Sequence, residues 1–203
     1  DDGQPVFDFP LTQRALDGFR ALGMSTMAAT CDQSFASIHL SSGDAAAAQA
    51  SLLRSEVVLA EFGERAQRST TQAMLARAYE LRGDVEAAGA ALELAEELSA
   101  AGDVANFAIT HGVRARLALT SGDAATAERW ARSAVAHASM TDFLGLRAEA
   151  RLGLARILWG RGRTAQAEPE TRAALDLFQA KGDRPGRDAA QALLHAHPQR
   201  DGD

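Results

Sequence analysis

One cysteine, Cys31, stands among 203 residues, so no internal disulfide can form and no cysteine-based zinc site can be assembled within the chain. Such usage fits a reducing compartment, and a cytoplasmic location is expected. Aromatic residues make up only 5% of the sequence, and there is no surplus of basic charge: 21 Lys+Arg stand against 27 Asp+Glu, for a net charge of −6. The summed field repels polyanions, which excludes nucleic acid as a direct partner. No stretch approaches the roughly 18 uncharged apolar residues of a membrane span. Of the 46% apolar residues, the surplus is mostly alanine. The opening Asp1-Asp2-Gly3-Gln4 has neither an initiator methionine nor the regions of a signal peptide, and reads as the start of a fragment from something longer.

Catalytic signatures are missing as well. There is no dinucleotide fingerprint, phosphate-binding loop, His-Glu-x-x-His pair or Gly-x-Ser-x-Gly elbow. Cys31 and His39 are eight residues apart, roughly 12 Å along a helix at about 1.5 Å per residue, too far for a dyad or a shared metal. His195 and His197 lie two apart and point in different directions from a helix end, which suits a solvated tail. His111 and His137 have no ligand-spaced neighbours, and Glu93, Glu96 and Glu97 read as the wet face of one helix. The expectation is a non-enzyme without cofactor or metal.

What the chain does have is a repeat. Gly43-Asp44, Gly83-Asp84, Gly122-Asp123 and Gly162-Arg163 fall 40, 39 and 40 residues apart, and a second series, Gly23, Gly63, Gly102, Thr141 and Gly182, interleaves with them. Glycine closes a helix in the left-handed conformation and the following aspartate caps the next one, so both series read as helix boundaries. Between them, Leu75, Tyr79, Leu92 and Ala95 recur at helical steps. The spacing predicts an orphan B-type helix over 10–22 and four A/B hairpins at about 24–63, 64–102, 103–141 and 142–182. A capping A-type helix follows at 185–197, with an extended or disordered leader at 1–9 and a polar tail at 198–203. Pro169, some five residues into the last B helix, predicts a kink or a late start there.

Aligning the hairpin turns exposes three columns of small residues, as closely crossing helices require: Ala36, Ala76, Ala115, Ala155; Ala48, Ala88, Ala127, Ala167; and Ser55, Ala95, Ala134, Ala174. With these columns, and with Leu75, Ala76, Tyr79, Gly83, Ala88, Leu92 and Ala95 at signature spacing, the chain resembles the tetratricopeptide repeat (TPR). It departs in a period near 40, in lacking a tryptophan early in helix A, and in having no proline at the end of helix B. Repeats this long resemble those in the C-terminal arms of large bacterial signalling proteins such as ATPase-linked class III cyclases and LuxR-type activators, and the segment from Thr141 to Ala150, with Leu152, Leu154, Ala155 and Gly162-Arg163, is especially similar to the last full repeat of the cyclase-associated group. The resemblance implies an all-α fold, a right-handed α-α superhelix of about four hairpins with a half repeat at each end.

One row carries candidate binding chemistry. Six residues before each hairpin glycine stand Ser37, Arg77, Arg116 and Arg156. By the resemblance this position faces the concave groove, where arginines can clamp carboxylates bidentately; the same residues equally read as solvated arginines paired with glutamates of adjoining repeats. Trp159, three residues beyond Arg156, is the candidate aromatic anchor, whereas Trp130 reads as core. Function is therefore expected to be that of an interaction and regulatory scaffold for a protein or peptide, including other domains of the same parent. The alternative is a sensory arm that binds an effector inside the superhelix. The end helices leave faces through which copies could associate.

Overall fold

The computed structural model describes residues 9–197. Every regular element in that span is helical: α1 (Phe9–Ala21), α2 (Ser25–Ser42), α3 (Ala45–Glu61), α4 (Arg65–Leu81), α5 (Val85–Leu98), α6 (Val104–Thr120), α7 (Ala124–Ala138), α8 (Leu144–Gly160), α9 (Thr164–Lys181) and α10 (Arg184–Ala196). The pairs α2/α3, α4/α5, α6/α7 and α8/α9 are hairpins, with α1 and α10 as half repeats. The leader and tail anticipated at 1–9 and 198–203 lie outside the described residues, save for Phe9, which begins α1.

Turn chemistry sets the helix ends. Seven glycines, at 23, 43, 63, 83, 122, 162 and 182, adopt positive φ. After each of them the next N–H reaches the carbonyl five residues back, at 2.8–3.0 Å, a Schellman closure that needs a residue free of a Cβ. Asp44, Asp84, Asp103, Asp123 and Asp183 each accept from a first-turn N–H at 3.0–3.1 Å, which caps the helix that follows. Two turns depart from this pattern. Gly102 stays at negative φ and α5 stops early, at Leu98, with Ser99 extended. Thr141, which has no glycine's freedom, follows α7, at 15 residues nearly as short as the 14 of α5.

All twelve column residues are buried, none more than 2% exposed. Where the third column carries Ser55 in place of alanine, its hydroxyl donates to Ala29 O on the facing helix at 3.0 Å, so the polar atom is satisfied at the crossing. The small side chains let A and B helices approach closely, and larger residues such as Leu52, Leu75, Leu92 and Leu158 fill the space between repeats.

Consecutive A helices pack side by side (α2 with α4, α4 with α6, α6 with α8, α8 with α10), while among the described residues the B helices stand apart, α7 and α9 being linked by the long side chains of Arg132 and Gln166, 2.9 Å apart. A layer in contact inside a layer that splays is a curved stack, with the A helices on the concave side. The curvature brings the ends together: α10 also touches α2.

The expected late start at Pro169 is not found, since α9 begins at Thr164 and runs through the proline. Ala165, whose carbonyl loses its partner, is exposed and can bond to water, while buried Ala167 and Thr171 on either side hold the path.

Candidate functional site

The concave face narrows to a pocket of about 400 Å³, walled by α4, α6 and α8 and closed by α10. Arg77, Arg116 and Arg156 all line it. Their register along three stacked A helices, one per repeat, is what assembles them. Arg116 Nε donates to Glu80 Oε2 at 2.8 Å, across one repeat seam. Arg77 reaches past α6 to pair with Glu149 of α8. Arg156 has no acceptor within bonding reach among the described residues, although it faces the same space. Arg156 is exposed to solvent, and its pKa is lowered by the partial desolvation its concave surroundings impose and by the charges of Arg116 and then Arg77, with Glu149 opposing. Ser37, the fourth member of the row, is exposed and does not line the pocket.

Two further residues give the pocket its room. Gly112 lies four residues before Arg116 and Gly153 three before Arg156, each on the same helical face as its arginine. A Cβ at Gly153 would meet nothing within 4 Å, and one at Gly112 only the Arg116 guanidinium at 3.8 Å. Neither glycine is required by backbone conformation or by close packing, yet each costs its helix stability relative to alanine. Gly186 in α10 is the opposite case, because its Cα sits against the Phe178 ring so closely that an added Cβ would fall 2.4 Å from it. Alanine there would push α10 off its seat.

Trp159 is not part of the pocket. It is 8% exposed, its Nε1 donates to Thr171 Oγ1 at 3.0 Å, and its ring stacks on His197 at 4.4 Å between centroids. Three residues after Arg156 along the helix, the side chain has turned toward the A/B interface, where burial outweighs display. His195 and His197 are both exposed, and His197 lies stacked on the Trp159 ring. Trp130, read as core, is half-buried and lies under the Arg114 guanidinium.

Elsewhere the fold joins residues that are distant in sequence. His111 and His137 meet at 5.1 Å between ring centroids, beside Phe107 and Trp130, and His111 Nδ1 lies 2.9 Å from Ser133 Oγ. Burial, His137 and Arg114 lower the pKa of His111, and only Glu96 raises it; Glu96 itself is held bidentately by Arg114. At the outer edge, buried Glu128 collects Arg132, Arg161 and Arg163, and the hydrogen bond from Arg132, backed by these cations, lowers its pKa against the cost of burial. Among the described residues no three His, Cys, Asp or Glu side chains converge as a metal site, and no helix is long and apolar enough to cross a membrane.

No protein-family model matches the chain, and no curated protein does. Among solved structures it is similar to BtubC (BKLC) from P. vanneervenii, with a TM-score of 0.56 and 16% identity over 96% of this chain and 94% of that one. At that identity the likeness is one of fold: a helical array of matching extent.

Proposed function

We propose that the chain is a non-catalytic, TPR-like regulatory arm of a larger signalling or transcription-regulatory protein, which binds an anionic ligand or peptide within its concave face and passes the bound state to its partners. The observation that carries this reading is the meeting of α10 with α2, which turns an open groove into a pocket where three guanidiniums converge. A purely docking array has no need of that closure. Bound ligand would bridge arginines on three successive repeats and so favour one curvature of the array over others, which is the differential affinity a switch requires.

A docking role for the same arm has its own support. Leu22, Phe62, Met140 and Phe143 are exposed, and all stand at the turns from a B helix to the next A helix. Successive turns of this kind lie along one edge of a solenoid, where a protein partner or a neighbouring domain of the parent can cover them.

The test is a thermal-shift panel of acidic peptides, organic carboxylates and phosphates, run on the wild type and on a variant with Arg77, Arg116 and Arg156 all changed to glutamate. The expected result is that at least one anion raises the melting temperature of the wild type but not of the variant, with helicity by circular dichroism equal in both. A panel without any shift, or shifts that survive the triple change, would reject the concave face as the binding site.

A further inference from the structure

The pocket's charge and shape specify its ligand more closely. Three guanidiniums face two carboxylates, Glu80 and Glu149, and both carboxylates are already engaged, by Arg116 and Arg77. Asp183 also borders the space, but it accepts from Gly186 N at 3.0 Å and lies 3.5 Å from Lys181 Nζ, so its charge is answered within α10's own cap. One positive charge, that of Arg156, is left over. A single negative charge neutralises the pocket; a double one would leave an excess anion inside a partly desolvated wall. The free guanidinium presents a planar fork of N–H donors, which matches the two oxygens of a carboxylate.

The remaining wall is apolar. Ile109, Leu119 and Leu146 line it, and Gly112 and Gly153 keep its floor clear. A helix retains mid-span glycines at a cost, and here the space at Gly153 is filled by no neighbour, while that at Gly112 meets the Arg116 guanidinium at 3.8 Å. A volume of about 400 Å³ suits a small molecule. An extended peptide needs a groove open at both ends, and α10 against α2 shuts one of them.

Resting on the ligand-binding reading above, we infer that the concave pocket is a site for a small organic monocarboxylate with an apolar body, its carboxylate seated on Arg156 and its body lying over Gly112 and Gly153. The glycines are then the selective element for size and Arg156 the selective element for charge. The inference predicts an unusual pairing of effects at Gly153: a side chain added there starts into open space at its Cβ, so a leucine should occupy the ligand's room and stop binding while the fold stays intact.

The experiment is isothermal titration calorimetry with octanoate, and with butyrate and hexanoate as shorter probes, on the whole chain. Octanol, octyl phosphate and inorganic phosphate are the comparators. Saturable binding of at least one monocarboxylate is expected, with octanol and inorganic phosphate inert and octyl phosphate weaker. Arg156→Gln should weaken binding by about tenfold or more, the worth of a charge-assisted hydrogen bond pair. Gly153→Leu should abolish binding with the melting temperature undiminished. The inference falls if no monocarboxylate binds, if Arg156→Gln or Gly153→Leu binds as the wild type does, or if octyl phosphate binds more tightly than octanoate. Should octanoate fail while an acidic peptide or phosphate still binds in an arginine-dependent manner, the ligand-binding reading stands and the monocarboxylate assignment alone is lost; should nothing bind, both are lost.

Discussion

Glu128 and Arg156 hold opposite positions in the same molecule. At the outer edge, one buried carboxylate gathers three guanidiniums, at 2.5–3.2 Å, and ties α7 to the turn between α8 and α9. On the concave face, one guanidinium stands beside two others with no carboxylate of its own. The chain is acidic overall, with 27 carboxylates for 21 cations, so the shortage at Arg156 is local. Charge at the edge completes itself within the fold; on the proposed reading, charge in the pocket is completed by a ligand.

That contrast can be broken most severely at the edge. Glu128→Ala removes the acceptor shared by three solvent-exposed guanidiniums, and urea unfolding should show a loss of about 1–2 kcal/mol, the worth of a charge-assisted hydrogen-bond network at a surface. An equal stability would mean that the arginines are fully hydrated without it. A second change sharpens the contrast in the pocket. Glu149→Gln frees Arg77, raises the uncompensated charge to two, and should shift preference from octanoate toward octyl phosphate by about tenfold in titration.

Smaller effects follow. Gly153→Ala, where a methyl group meets nothing, should stabilise α8 by about 0.5–1 kcal/mol in urea. Arg156→Gln should leave stability unchanged or raise it by less than about 1 kcal/mol, because it removes a cation that has only like-charged company among the arginines. The last prediction concerns pH. His111 has a pKa held below its ordinary value of 6.5 by burial, His137 and Arg114, so the folded state binds its proton less readily than the unfolded chain does. Stability is therefore full above pH 6.5 and declines as pH falls from there toward the folded pKa. Unfolding midpoints measured from pH 7.5 to 5 should show this decline, and His111→Gln should flatten it.

The parts of this architecture that were legible in the sequence are those encoded once per repeat. Alanine columns and Gly-Asp pairs act over a turn or two of helix, and repetition let each copy vouch for the others. The row of arginines was legible for the same reason. Its pairing was not, because Arg77 finds Glu149 only through the curvature of the array, which depends on A helices packing side by side and B helices standing apart. Gly112 and Gly153 escaped notice because they occupy different register positions and fit no column; the available signal was simply two glycines in helix interiors, each one turn before an arginine. Trp159 misled because its place three residues from Arg156 suggested a shared face, whereas Thr171 supplies the hydroxyl that its indole N–H needs inside. The meeting of His111 with His137, 26 residues apart, required the hairpin to fold.

The separation of the outer helices has one more consequence. With inner rods packed and outer rods set apart, the array is hinged along its inner side like a hand fan, and what ties its outer ribs at the last seam is a set of surface side chains, Arg132 to Gln166 and Arg161 and Arg163 to Glu128. A tilt too slight to notice at one seam sums over every seam to a large excursion at the rim, where the first full repeat and the final helix meet. On the proposed reading a ligand in the pocket acts on that sum, because the arginines it meets stand on three successive repeats.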